Sequence, residues 1–202
     1  MRKALIIVFS IFVISTTNAF ALPVLWSGNG HYYEYTDVGG VLFWDDAKVF
    51  AEAKGGYLAT VTSVEEDDWI WDNIAHGQFL HAWLGGFQPA GSVEPDGGWS
   101  WVTGEAWDYT RWFLLNNEPN NFLGNDPNGE SALELGRFKD HPRDWNDMDP
   151  HTINYTNDFI PGYITEWDFN PSSSTIPEPA TIFLITGGLT GLYFRKRFNN
   201  LK

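Results

Sequence analysis

The pattern of apolar and polar residues predicts two helices and a set of short strands between residues 22 and 169. Residues 44–54 place Ala47, Phe50 and Ala51 at helical spacing, and Gly55-Gly56 ends this helix, because glycine adopts the left-handed C-terminal geometry without a Cβ clash. Residues 65–73 form the second predicted helix, preceded by Ser63 at capping-box spacing from Glu66. Short, mostly alternating or β-prone runs predict strands at 32–36, 57–61, 82–87, 99–102 and 162–167. Helices first and strands afterwards indicate an α+β domain and not an alternating α/β fold.

Residues 112–149 break this pattern, because they are rich in Asn, Asp, Gly and Pro. The composition predicts a mostly irregular stretch, longer than the loops that compact domains usually carry, and such stretches are usually functional or disordered. Its many side-chain oxygens could act as ligands, which favours a functional stretch over a disordered one. Five tryptophans are predicted to lie in the core and not on a sugar-stacking surface, because Gly-flanked strand positions bury aromatics readily: Trp83, Trp99, Trp101, Trp112 and Trp145.

Composition narrows the possible chemistry. The 202 residues suit one globular domain, and the absence of cysteine excludes disulfides, thiolate nucleophiles and Cys-ligated metals. The net charge is −14, and half of the 12 basic residues lie at the two ends. The acidic middle repels phosphate backbones, which excludes nucleic acid as the main partner, whereas its carboxylates suit a hard cation such as Ca²⁺.

The N-terminal end has the three parts of a secretory signal peptide, residues 1–21. Arg2 and Lys3 precede a short apolar run, and Ala19 and Ala21 form an Ala-x-Ala cleavage site, so we expect cleavage after Ala21. The alternative is an uncleaved anchor. The apolar run at 4–14 disfavours it, because a membrane span needs about 20 residues.

The C-terminal end combines a polar linker with the Pro-Glu-Pro motif (170–181), then a short apolar run and a basic tail (182–202). The motif residues are Pro177, Glu178 and Pro179. Their order before an apolar helix and basic residues resembles the PEP-CTERM sorting signal of exopolysaccharide-producing Gram-negative bacteria. The resemblance implies transient membrane association, processing by an exosortase-type protease, and delivery to the cell surface or extracellular matrix. The alternative is a simple membrane anchor through residues 182–194.

Residues spread over the central domain resemble the C-type lectin-like domain. The matching residues, in order, are Asp46-Ala47, Gly55-Gly56-Tyr57-Leu58-Ala59-Thr60, Glu65-Glu66, Trp83-Leu84-Gly85-Gly86, Trp99-Ser100-Trp101-Val102-Thr103-Gly104, Tyr109-Thr110-Arg111-Trp112, Glu118-Pro119-Asn120-Asn121, Gly129-Glu130, Trp145-Asn146-Asp147 and Tyr163-Ile164-Thr165-Glu166. The resemblance implies an α+β domain over residues 22–169 with a long Ca²⁺-binding loop region. Positions that hold disulfide cysteines in that family are Ala51, Ala132 and Thr165 here, so the domain is predicted to fold without disulfides.

The resemblance also implies one Ca²⁺ site whose open positions take two neighbouring sugar hydroxyls. The implied metal ligands are Glu118, Asn120, Glu130, Asn146 and Asp147, of which the first four also bind the carbohydrate, with the Glu118–Pro119 bond in the cis form. The Glu-Pro-Asn order resembles members that prefer mannose-type sugars. Because residues 121–129 are longer than the family pattern, Asp126 or Asn128 could replace Glu130 as a ligand. A second calcium site is not predicted, since Asn121 and Ser131 stand where other members have Asp.

The predicted function is therefore an exported, Ca²⁺-dependent carbohydrate-binding protein of the cell surface or polysaccharide matrix. One alternative is the same fold used as a structural or protein-interaction module without sugar binding. For Glu118-Pro119-Asn120 alone, an ordinary surface turn is also an open reading. No His-Glu-x-x-His motif, phosphate loop or nucleophile elbow is present, so an enzyme is not expected, although the paired acids leave a glycosidase as a third possibility.

Overall fold

A computed structural model of the chain describes residues 22–75, 81–123, 129–151 and 160–173. The predicted signal peptide with Ala19 and Ala21 lies outside the described residues. So do the predicted sorting segment, with Pro177, Glu178 and Pro179, and the alternative ligands Asp126 and Asn128. Within the described ranges, no helix has the length and apolar character needed to cross a membrane.

Both predicted helices are present, α1 (Trp44–Ala53) and α2 (Val64–Asn73). Gly55 follows α1 with φ of +78°, a conformation that residues with a Cβ rarely adopt. Ser63 caps α2, since its hydroxyl oxygen accepts a hydrogen bond from the Glu66 amide at 3.2 Å. The Ser63 cap therefore fixes where α2 begins and places Glu66 on the first turn, while the Glu66 carboxylate accepts the Thr62 amide and not the Ser63 amide of a full capping box.

The strands form one mixed sheet. They are β1 (Val24–Leu25), β2 (Tyr32–Asp37), β3 (Tyr57–Leu58), β4 (Ala82–Phe87), β5 (Ser100–Trp101), β6 (Ala132–Leu135), β7 (Trp145–Met148) and β8 (Gly162–Trp167). The order across the sheet is β1-β2-β8-β4-β6-β7, with β3 also paired to β8 and β5 to β4. Only β4 and β8 run parallel; the other pairs in this description are antiparallel.

The described part of residues 112–149 is mostly irregular, as predicted, but it also contains two strands that the sequence did not predict, β6 and β7. Both strands are four residues long, and β7 includes Asn146 and Asp147, residue types that are depleted in strands. Their conformation is imposed by pairing, since β6 lies between β4 and β7 in the sheet. The predicted strand at 57–61 is also shorter in the structure, where β3 covers only Tyr57–Leu58.

The core is built largely from aromatic and small aliphatic side chains. Trp83, Trp99, Trp101 and Trp145 are buried, as predicted, whereas Trp112 is only partly buried and packs against the same cluster. The rings of Trp101 and Trp145 meet edge-on with centroids 5.8 Å apart, a geometry that aromatic pairs favour. The residues at the family's cysteine positions, Ala51, Ala132 and Thr165, are all buried, so the interior closes around them without a covalent bridge.

Candidate metal centre

Three carboxylates meet where the 113–123 loop reaches β6 and β7. One oxygen from each of Glu118, Glu130 and Asp147 lies within 4.8 Å of the others. Glu118 follows the 3-10 turn Leu114–Asn116, Glu130 lies just before β6, and Asp147 lies on β7. Glu118 is 3% exposed and Asp147 is fully buried. Three like charges at this separation are unfavourable in a buried setting unless a cation or protons neutralise them.

Backbone hydrogen bonds fasten the loop to these carboxylates. The Glu118–Pro119 peptide bond is cis, as the resemblance implies. Asp147 accepts the amide of Asn120 at 3.0 Å through Oδ1 and the amide of Asn121 at 2.7 Å through Oδ2. Glu130 Oε2 accepts the Phe122 amide at 2.9 Å, and Asn121 Oδ1 accepts the Glu130 amide at 2.8 Å. The loop conformation therefore depends on the same groups that form the cluster.

Two side-chain oxygens at this site are buried without a hydrogen-bond donor among the described residues. They are Glu118 Oε2 and Asn120 Oδ1. The other Glu118 oxygen, Oε1, accepts from the Asn116 side-chain amide. Buried acceptors are rarely left unpaired, because desolvation without a partner is costly. An acceptor-only set of carboxylate and amide oxygens is the chemistry that a hard cation such as Ca²⁺ requires.

Electrostatics at the site favour protonation when no cation is bound. Burial raises the pKa of Glu118 to about 8, with Asp147 and Glu130 acting in the same direction and the Asn116 amide opposing them. Burial likewise raises the pKa of Glu130 to about 8, together with the charge of Asp147, while the Phe122 amide and Arg137 lower it. A divalent cation at this point would compensate the charge that burial makes unfavourable, and it would displace protons from both groups.

Asn146 lies beside the cluster but is oriented by a different neighbour. Its side-chain Nδ2 donates to Glu134 Oε2 at 3.2 Å and to the backbone oxygen of Asp147 at 2.5 Å. Glu134 on β6 and Asn146 on β7 are direct partners in the strand register. Sequence reasoning missed Glu134, because it belongs to no motif and is recognisable only through this cross-strand pairing.

The predicted site residues therefore fall into three groups. The structure brings Glu118, Glu130 and Asp147 together. Asn120 donates its backbone amide to Asp147, and its side-chain Oδ1 is buried with no hydrogen-bond donor among the described residues. Asn146 is joined to the cluster through the Asp147 carbonyl, with its amide hydrogens directed at Glu134.

A second buried group of acids, which the sequence did not predict, lies between β2, α2 and β8. Glu66 and Glu166 are 2% and 1% exposed, and the Tyr33 hydroxyl lies between them, 2.5 Å from Glu66 and 2.9 Å from Glu166. Glu66 also accepts the Thr62 amide at 2.8 Å, and Glu166 accepts the Thr60 amide at 2.8 Å. His31 Nδ1 lies 2.6 Å from Glu166, so protein donors surround this pair.

The elements and their order define the class: the described domain has the C-type lectin-like fold. The carbohydrate-recognition domain of the human scavenger receptor C-type lectin superposes with a TM-score of 0.54 at 23% identity, covering 72% of this chain and 95% of that one. At this identity the likeness establishes the fold alone.

Two sequence relatives and one family model complete the comparison. Halomucin from Haloquadratum walsbyi is 32% identical over 79% of this chain, and the type-2 ice-structuring protein from Brachyopsis segaliensis is 31% identical over 55%. The matched regions are about 2% of halomucin and 60% of the ice-structuring protein, so this chain accounts for only part of either relative. Residues 175–197 match the PEP-CTERM protein-sorting motif, which implies an exported protein.

Proposed function

We propose that the protein is an exported, Ca²⁺-dependent carbohydrate-binding protein of the cell surface or extracellular polysaccharide matrix, with a preference for mannose-type sugars. The observation that carries the proposal is the meeting of Glu118, Glu130 and Asp147, whose oxygens lie within 4.8 Å of one another. Glu118 Oε2 and Asn120 Oδ1 add two buried acceptors to which none of the described residues donates. Ca²⁺ takes six to eight oxygen ligands, so this set would leave positions for a ligand's hydroxyls.

In this proposal each residue has a chemical role. Glu118, Glu130 and Asp147 supply charge and oxygens to the cation, and Asn120 supplies an amide oxygen. Bound Ca²⁺ would coordinate two neighbouring hydroxyls, while Glu118 and Glu130 accept hydroxyl protons and the Asn120 amide donates to a hydroxyl oxygen. Asn146 is the fifth metal ligand. The apolar side chains of Leu115 and Phe122, 80% and 70% exposed, lie on either side of the Glu118-Pro119-Asn120 motif in the chain and offer surface to the C–H groups of a sugar ring.

The sorting motif and the fold of a recognition domain support a binding role outside the cell. An exosortase-type protease would process the C-terminal segment, and an extracellular glycan would be the ligand. A single site of this kind binds weakly, so many copies on one matrix would be needed for avidity.

A second use of the fold, as a calcium-stabilised structural or protein-interaction module, is favoured by one observation. Asp147 already accepts two loop amides, so a cation there would mainly order the loop. In that case Ca²⁺ binding would occur without any affinity for glycans.

Calorimetric titration of the purified protein with Ca²⁺ tests the metal site. We expect saturable binding that Glu118→Ala abolishes. Glu94→Ala is the matched control, because Glu94 also precedes a cis proline but is exposed and distant from the cluster in the chain. Equal loss in both variants, or no binding by the wild type, would refute the proposed cation site.

Binding to mannose-type and galactose-type polysaccharides then separates the two functions. The first proposal predicts a mannose-type signal that both a chelator and Asn120→Asp remove. Calcium binding without any glycan signal would support the structural module, and turnover of the polysaccharide would point to a hydrolase.

A further inference from the structure

Glu134 is a fully buried acid that the proposed ligand set does not use. It lies on β6, opposite Asn146 on β7, and both side chains are on the same face because directly paired residues share a face. Its oxygens have two different neighbours. Oε2 accepts from Asn146 Nδ2 at 3.2 Å, and Oε1 lies 3.3 Å from Nδ1 of His81, which is 8% exposed.

These contacts constrain the Asn146 amide. A planar amide has its donors on nitrogen and its acceptor on oxygen, so two bonds from Nδ2 fix the orientation of the whole group. Here Nδ2 is held by Glu134 Oε2 and by the carbonyl of Asp147, the neighbouring residue on β7. Reversing the amide would set its oxygen against two acceptors, which is unfavourable in a buried site.

We propose that Glu134 is a positioning residue of the metal centre: it holds Nδ2 of Asn146, so that Asn146 gives its oxygen to the cation and no hydrogen bond to the ligand. His81 Nδ1 lies 3.3 Å from the opposite oxygen of Glu134, close enough for an ion pair when His81 is protonated. The proposal rests on the proposed function and adds that the two asparagines have different roles. Asn120 serves both cation and ligand, and Asn146 serves the cation alone.

A double-mutant cycle on Ca²⁺ affinity, measured on the purified protein, tests this. Glu134→Met removes the acceptor while keeping the side-chain length, and we expect Ca²⁺ affinity to fall about 10- to 100-fold, the usual effect of losing a group that orients a ligand. Asn146→Ala should reduce affinity by a comparable factor. Because Glu134 acts through Asn146, adding Glu134→Met to Asn146→Ala should change affinity by less than about threefold. Additive losses would overturn the proposal.

Glu134→Gln separates orientation from charge. Glutamine keeps a carbonyl oxygen that can accept from Asn146, so affinity should stay within about threefold of the wild type. A loss as large as that of Glu134→Met would mean that Glu134 acts only through its negative charge. If the methionine variant does not fold, Glu134→Ala removes the same acceptor and replaces Glu134→Met in the cycle with Asn146→Ala.

Two further measurements distinguish the possible failures. In the Ca²⁺-free protein, the side-chain amide protons of Asn146 should be protected from solvent exchange, and Glu134→Met should remove that protection. At saturating Ca²⁺, Glu134→Gln should leave mannose-type binding unchanged, while Asn120→Asp should abolish it. If the wild type binds no Ca²⁺, the proposed function fails. If it binds Ca²⁺ but Asn146 is unprotected, only the present inference fails.

Discussion

The two buried groups of acids in this domain differ in what surrounds their oxygens. Around Glu66 and Glu166 the protein supplies donors from Tyr33, Thr60, Thr62 and His31. Around Glu118, Glu130 and Asp147 it supplies several backbone amides, but none of the described residues donates to Glu118 Oε2 or Asn120 Oδ1. The described residues supply hydrogen-bond donors throughout the first group, whereas in the second they leave two buried oxygens free to accept from a ligand. Burial and charge are similar in the two groups, so the supply of donors is the difference that favours a ligand site in the second.

The largest expected effect comes from breaking the first group. Glu66→Met leaves the buried Thr62 amide without its acceptor and takes one of two acceptors from both the Tyr33 hydroxyl and the Asn29 side-chain amide, so we expect the free energy of unfolding to fall by roughly 3 kcal/mol. Urea denaturation measures this. Glu65→Met on the same helix is the control, because Glu65 is exposed and should cost about 0.5 kcal/mol or less. Ca²⁺ affinity should not change in either variant. A change would mean that the Glu66–Glu166 pair and the metal cluster are energetically coupled.

The next effect is the stabilisation expected when Ca²⁺ is added to the cluster of Glu118, Glu130 and Asp147. Ca²⁺ at 100 times its dissociation constant should stabilise the wild type by about 2.7 kcal/mol, since it binds the folded state alone. For a domain of this size we expect the melting temperature to rise by roughly 5 to 10 °C. Glu118→Ala should lose this rise and Glu66→Met should keep it. A melting temperature that does not respond to Ca²⁺ in the wild type would contradict the comparison.

The dependence of stability on pH gives a smaller effect with a definite sign. The pKa of Glu118 and Glu130 is about 8 in the folded protein, above the ordinary value of 4.5, so the folded state holds these protons more tightly than the unfolded chain. The Ca²⁺-free protein should therefore lose stability as pH rises from about 4.5 to 8. Denaturation in chelator at pH 5, 7 and 9 measures this loss.

Burial also raises the pKa of Glu166, which belongs to the first group and adds a loss of the same sign. In saturating Ca²⁺, only the share of the pH-dependent stability loss that comes from Glu118 and Glu130 should disappear. In chelator, Glu130→Gln should make the pH-dependent loss smaller. If Ca²⁺ leaves the whole pH dependence unchanged, the fall arises elsewhere in the protein.

The smallest effect tests how α2 holds Glu66 in place. Ser63→Ala removes the cap on the Glu66 amide and should cost about 1 kcal/mol of stability. Ser63→Asp, which keeps a capping oxygen, should retain the wild-type value. Neither change should alter Ca²⁺ affinity, because the hydrogen bond described for the Ser63 side chain is with Glu66, in the other group of acids.

The sequence predicted those elements whose pattern is local. The strands Ala82–Phe87 and Gly162–Trp167 agree with the structure residue for residue, and both helices agree within one residue at each end. The strands β6 and β7 were not predicted, since the sheet imposes their conformation on residues with weak strand propensity. Local pattern could not indicate which side of the sheet a four-residue strand would join.

The same limit applies to the sites. The oxygen-bearing residues of the metal cluster could be chosen from motif order, and Glu118, Glu130 and Asp147 do lie together. The roles of Glu66, Glu166 and Glu134 depend on partners that are far away in the chain. Tyr33 lies 33 residues from Glu66 and 133 from Glu166, and no spacing rule connects residues at such separations.

The order of strands across the sheet also determines how the domain can be presented to its surroundings. The chain leaves the sheet from β8, and the sorting motif begins at residue 175, shortly after the turn Pro171–Ser173. The candidate metal centre is built on β6 and β7, beyond β4 as counted from β8. Because β8 is an inner strand between β2 and β4, the segment that leads to the sorting motif starts two strands away from β6, and the carboxylate cluster lies at the edge of the sheet that β7 forms.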